Sequence, residues 1–159
     1  MAKMPNRLFS SNQFYSVHAD LLCMSYERCT GQPLITHEST FTKRIEALFA
    51  APFALVSHGT ETDPIFNFGN QTALSLFELT WEQFTELPSR KSAEPVNQKE
   101  RQRLLDRVTQ QGYINDYSGV RISASGKRFL IEGATVWNLV DTLGHYRGQA
   151  AVFDQWSFL

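Results

Sequence analysis

Apolar side chains change their spacing several times along this chain, and each change marks an element. Across residues 12–29, Phe14, Val17, Leu21 and Met24 form one stripe at helical spacing, and Tyr15, His18, Leu22 and Tyr26 form a second beside it. Two stripes cover more of a helix than one packed face needs. This helix is therefore expected to be covered on two sides, by its own domain and by a second copy of the chain. Gly31 supplies its stop. A second helix is predicted over residues 38–50, burying Phe41, Ile45, Leu48 and Phe49 and ended by Pro52.

The helical period then disappears. Residues 53–57 read as a short apolar strand, 58–64 as a polar turn and 65–68 as a second strand. At Gly69-Asn70 helical spacing returns through Ala73, Leu76, Phe77 and Leu79, and Asn70 stands where a helix needs an N-cap acceptor. Thr80 with Gln83 has the form of a capping box for the next helix. Asn97 with Glu100 has that form too and is read as opening a helix to residue 111, with a narrow inward stripe of Leu104, Leu105 and Val108. Strands are predicted over 113–123, 129–140 and 148–153. In the long middle one, Phe129, Ile131, Thr135, Trp137 and Leu139 are assigned to one face. Strands joined by short turns pair antiparallel. The fold class expected is α+β: a five-stranded antiparallel sheet with helices on one face, plus two N-terminal helices. The chain divides into a helical extension at 1–51 and a sheet domain at 52–159.

Charge narrows the partners. Fifteen basic against 16 acidic residues leave a net charge of −1, so no strong attraction to nucleic acid or to an anionic membrane is expected. Lys99, Arg101, Arg103 and Arg107 alternate with Glu100 and Asp106, which reads as a solvated helix face. No apolar run is long enough to span a bilayer, and the N-terminus does not resemble a signal peptide. Cys23 and Cys29 suit neither a zinc site nor a disulfide framework, and a cytoplasmic location follows. No metal-ligand cluster, nucleophile elbow, catalytic carboxylate pair or phosphate loop is present, so an enzyme ranks well below a binding module.

The order of elements resembles a PAS domain, whose second strand runs into an Asn that opens the first covering helix. More closely, the chain resembles the MEKHLA family, a PAS-like group. The matching segments are Val-Ser-His-Gly (56–59), Asp-Pro-Ile-Phe-Asn-Phe-Gly-Asn (63–70), Leu-Pro-Ser-Arg-Lys-Ser-Ala-Glu (87–94), Gly-Tyr-Ile-Asn-Asp-Tyr-Ser-Gly-Val-Arg-Ile-Ser (112–123), Gly-Lys-Arg-Phe (126–129), Val-Trp-Asn (136–138) and Gly-Gln-Ala-Ala-Val-Phe (148–153). The Met-Glu-Lys-His-Leu-Ala string that names the family, found in its plant transcription-factor members, is absent, so their developmental role is not carried over. The resemblance implies a sensory or interaction module that binds a small molecule, and it leaves the cofactor or ligand unknown. Flavin PAS domains that form a light-driven adduct use a cysteine after the Asn-led helix. Residues 70–95 contain none. Haem PAS domains use a histidine on the covering helices, and His18, His37, His58 and His145 all fall outside residues 70–111. Flavin held without an adduct stays open.

The candidate ligand-binding residues are Phe66, Trp81, Arg90, Tyr117, Arg121, Trp137 and Gln149. Tyr117 and Arg121 share a strand face by period two and can hold a carboxylate or phosphate, or else Arg121 pairs structurally with Glu132 or Glu94. Phe66, Trp81, Tyr117 and Trp137 are the expected wall, Gln149 an amide at the rim, and Arg90 either a gate or a partner of Glu94. His58 is read as a turn residue capping nearby backbone in preference to a proton-sensitive anchor. With no output domain recognised in this sequence, any signal passes to a separate protein, and a homodimer through the N-terminal helix is expected. The alternative is an interaction module with no ligand.

Overall fold

The computed structural model describes residues 13–35 and 41–159. Asn12, His37 and the expected helix start at residue 38 lie outside that set, as does the Phe41 side chain. Helix α1 spans Gln13–Thr30 and α2 spans Phe41–Ala50. Strands β1 (Ala54–His58) and β2 (Phe66–Gly69) lead into α3 (Gln71–Phe77) and α4 (Trp81–Phe84). A 3₁₀ turn at Ser89–Ser92 precedes α5 (Pro95–Gln111), and β3 (Tyr113–Ile122), β4 (Arg128–Val140), β5 (Tyr146–Phe153) and β6 (Gln155–Phe158) complete the chain.

The strands form one antiparallel sheet in the order β2-β1-β5-β4-β3, with the short β6 continuing beside β4. The five strands expected are present, and β6 is an addition. Caps set the helix starts. Asn70 takes the Ala73 N–H at 3.1 Å, and the Thr80–Gln83 capping box is complete. Asn70 does more than cap. It is fully buried, accepts the Leu55 N–H at 3.0 Å and donates to the Leu48 and Phe53 carbonyls, tying α2, β1 and α3 together. Helix α5 opens two residues before the expected Asn97, because Pro95 fits the first turn, where no N–H is needed.

The helices divide between the two faces of the sheet. On the outer face α1 lies across β4 and β1: Tyr26 meets Trp137 edge-on at 5.0 Å, and His18 bonds Ser57 at 2.9 Å. On the inner face α3, α4 and α5 cover the sheet. Phe84 stacks on Phe66 at 4.2 Å, Phe77 meets Phe129 at 5.3 Å, and the Asn138 amide donates to the Val108 carbonyl at 2.9 Å.

The assignment of β4 faces needs correcting. Between Tyr117 and Gly119 the partner on β4 jumps from Ala134 to Ile131, with Gly133 at φ +64°. This bulge inserts one residue and reverses which side alternate residues face. Phe129 and Ile131 therefore share the inner face with Ala134 and Val136, whereas Trp137 turns to the outer one. Of the two α1 stripes, Tyr15, His18, Leu21 and Leu22 are buried, while Phe14 and Val17 remain 47% and 62% exposed. No helix among the described residues is long and apolar enough to cross a membrane.

Candidate functional site

Strand pleat and bulges together aim polar groups into the space under α5. Strand β1 runs through His58, one residue further than expected, and pairs it with Gln149 of β5. Alternation then sends Val56 and His58 inward and Ser57 outward. A second bulge, at Asp116 with φ +59°, keeps Tyr117 on the inner face. The result is a cavity of about 60 Å³ between sheet and helices. Phe66, Phe77, Leu104, Ile131 and Phe153 contribute its apolar wall, and His58, Arg101, Tyr117, Arg121 and Gln149 its polar one.

Each polar group has a defined setting. Arg121 is 7% exposed; it donates to the Val120 carbonyl at 2.8 Å and to the Tyr117 hydroxyl at 3.3 Å. The Tyr117 hydroxyl in turn donates to the Glu100 carboxylate at 3.0 Å, at the exposed edge of the site. Burial raises the Tyr117 pKa, opposed by the Arg121 charge. Arg101 is 6% exposed and donates to Ser89 Oγ at 2.8 Å. Burial first, and then the charge of Arg121, push its pKa down to about 10. Among the described residues neither arginine forms an ion pair, whereas Arg44, Arg90, Arg128 and Arg147 all do. Gln149 spends its amide N–H groups on the Leu105 carbonyl, Thr109 Oγ1 and Asn138 Oδ1, each at 3.1 Å. His58 Nδ1 lies 3.0 Å from the Gly59 carbonyl. A carbonyl only accepts, so Nδ1 carries the proton there. Its Nε2 is buried and makes no hydrogen bond of ordinary geometry among the described residues; the Gln149 side chain, its partner across β5, interacts with the ring and acts to raise its pKa. Burial is also the main cause holding the ring pKa below its ordinary value.

Of the seven residues singled out in the sequence, Phe66, Tyr117, Arg121 and Gln149 meet at this cavity. The other three do not line it. Arg90 is an exposed partner of Asp63 at 3.1 Å, neither a gate nor bound to Glu94, which pairs with Arg128 at 2.5 Å. Trp81 packs against Phe68, Tyr15 and Phe49, beyond the β2 bulge that separates Phe66 from Phe68. Trp137 lies on the outer face under Tyr26. Arg121 bonds neither Glu132 nor Glu94; its polar partners are Val120 and Tyr117. His58 combines both readings: its ring does cap a neighbouring carbonyl, and it also faces the cavity. Arg101 is the residue missed. It reads as one charge among several on a solvated face, yet it stands three residues before Leu104 and completes the inward stripe with Leu104, Leu105 and Val108. Among the described residues no three potential metal ligands gather in one place.

Comparison with known proteins adds context to this geometry. The MEKHLA domain family matches residues 16–158. The homeobox-leucine zipper protein ATHB-9 of Arabidopsis thaliana is 27% identical over 147 residues, which covers 91% of this chain and 16% of the relative. HOX29 of Oryza sativa subsp. japonica is 26% identical over 144 residues, 87% of this chain and again 16% of the relative. The chain thus corresponds to a small part of these proteins. Among solved structures, a PAS domain from Colwellia psychrerythraea aligns with TM-score 0.61 at 15% identity, covering 74% of this chain and 94% of that one. The light-state dimer of the fungal blue-light photoreceptor Vivid aligns with TM-score 0.56 at 12% identity, covering 90% and 93%. A light-oxygen-voltage domain described with a flavin analogue aligns with TM-score 0.58 at 14% identity, covering 74% and 84%. The fold is PAS-like.

Such neighbours raise flavin as a cofactor, and the cavity here does not fit it. Pockets for drug-sized ligands hold roughly 300–1,000 Å³. The space under α5 is about 60 Å³, with Phe66 and Phe77 packed into it.

Proposed function

The chain belongs to the MEKHLA domain family, and from that premise we propose that it is a PAS-like sensory module that binds a small molecule between the sheet and α5 and passes the signal to a separate protein. One observation carries the reading. The inner cavity is bordered by polar groups that its own fold leaves incompletely partnered, with His58 Nε2 the clearest case. Natural interiors satisfy nearly all buried polar atoms, so an orphan facing a cavity marks a place for something else. The module is read as non-catalytic: among the described residues no reacting group activated by a neighbour lines the pocket. A cytoplasmic location keeps Cys23 and Cys29, both free thiols, reduced.

A small-molecule screen by thermal shift, followed by amide NMR of the hits, tests the proposal. Binding compounds are expected to move the resonances of Val136, Gln149 and Ala151. A screen whose hits leave those residues untouched ends the reading. The exposed Phe14 and Val17 on α1 favour a second component, self-association through that helix, in which the outer face carries the output. Val17→Glu is expected to shift the species seen by light scattering to a smaller mass at equal concentration. Unchanged mass removes α1 from any interface.

A further inference from the structure

The walls of the site described above specify the chemistry of the molecule it takes. We propose that the cavity under α5 takes a short hydroxycarboxylate of two to three carbons, its carboxylate held by Arg101 and Arg121 and its hydroxyl donated to His58 Nε2. The inference rests on the ligand-binding reading and narrows it.

Charge comes first. Two guanidinium groups, 6% and 7% exposed, border one cavity and neither has a carboxylate against it among the described residues. Burying a cation without a counter-charge is costly, and two facing cations add repulsion. The repulsion is registered in the molecule: burial and the Arg121 charge lower the Arg101 pKa, and the smaller opposing influences are Tyr117 and Asp63, a carboxylate already paired with Arg90. Elsewhere in the fold the arginines find carboxylates, as Arg128 finds Glu94 and Arg147 finds Asp141. Of five N–H donors on a guanidinium, Arg121 directs two to protein acceptors and Arg101 one. Donors remain for an anion on both.

Size and polarity select the anion. A cavity of about 60 Å³ has room for roughly four to six water-sized spheres at about 10–15 Å³ each, so only a handful of heavy atoms enters. Phe66, Phe77, Leu104, Ile131 and Phe153 give it apolar walls, which suit a methyl or methylene beside the charged end. Inorganic phosphate has no such portion. Its second charge would also face the Glu100 carboxylate, which the Tyr117 hydroxyl holds at the edge of the site. A monocarboxylate meets one guanidinium pair with one charge.

His58 accounts for the hydroxyl. With its proton on Nδ1 toward Gly59, the neutral ring offers a lone pair at Nε2; the Gln149 side chain interacts with the ring, but its amide N–H groups go to Leu105, Thr109 and Asn138, so no donor among the described residues fills that position. Burial disfavours the charged ring, and a ligand O–H is the group that completes the neutral one.

The test is calorimetric titration of the whole chain with lactate, glycolate, propionate, inorganic phosphate and the neutral isostere lactamide, at concentrations reaching tens of millimolar. A ligand of so few atoms is expected to bind on the order of a millimolar. Lactate or glycolate should saturate one site per chain, propionate should bind more weakly, and Arg101→Met or Arg121→Met should weaken lactate binding about 10- to 100-fold. Should either variant fail to fold, the side-chain N–H resonances of Arg101 and Arg121 in the unaltered protein give the same answer, since both should move on lactate addition. Preferential binding of phosphate, or of lactamide as tightly as lactate, overturns the carboxylate assignment while leaving a ligand pocket in place. Propionate equal to lactate overturns the role given to His58. If no compound in the panel binds but an unrelated one shifts Gln149 and Ala151, the inference falls alone. If nothing reaches those residues, it falls together with the ligand-binding reading.

Discussion

Acid should loosen this fold through one buried ring on its outer face. His18 is 3% exposed, with Nε2 at 2.9 Å from Ser57 Oγ and Phe14 stacked beside it at 5.0 Å. Burial lowers its pKa from 6.5 to about 4. The unfolded chain therefore takes up the proton more readily than the folded one. Stability is complete above pH 6.5 and falls as pH drops toward 4. At about 1.4 kcal/mol for each pH unit inside that window, going from near pH 7.5 to pH 5 costs about 2 kcal/mol. Urea unfolding of the unaltered chain and of His18→Gln at both pH values isolates the contribution. His58, also buried, is present in both proteins and cancels. The unaltered chain is expected to lose about 2 kcal/mol more than the variant on acidification. Equal losses, within about 0.5 kcal/mol, would mean that the ring accepts a proton in place and that α1 does not seal it from water.

Two further outcomes follow from single positions. Asn70→Ala removes a side chain that caps α3, bonds Leu55 and satisfies two carbonyls, and should cost about 3 kcal/mol or more, read from the urea midpoint; a loss under about 1 kcal/mol refutes its tying role. Gly148→Ala places a methyl against the His58 carbonyl oxygen at a residue with φ +125°, so it should destabilise by about 2 kcal/mol or more and shift the His58 ring resonances; an unperturbed ring shows that β5 does not set the position of His58.

Local signals carried most of the architecture, and the register did not. Asn70 and the Thr80–Gln83 box are legible because a cap depends on residues within one turn. The strand faces are not, since a bulge at Gly133 or in β2 beside Asn67 changes the count without any apolar residue announcing it. The inserted residue at Gly133 is what turns Trp137 away from the cavity wall, and Trp81, on a helix, follows Phe68, which the β2 bulge turns away from Phe66. Tyr117 and Arg121 are legible through period two within an undisturbed stretch, and Gln149 only as an amide beside Gly148. Arg101 required a helix in hand: its charge argues for solvent, and only its place in the Leu104–Val108 stripe argues inward.

Between the cavity and α1 there is a single thickness of backbone. His58 faces one compartment and Ser57, its neighbour, is bonded to His18 in the other; Asn138 is tied to α5 and Trp137 lies beneath Tyr26. Adjacent residues sit 3.8 Å apart along the chain. A shift of His58 or Asn138 on filling the cavity thus reaches the opposite surface through one peptide unit, without a relay of side chains across the domain.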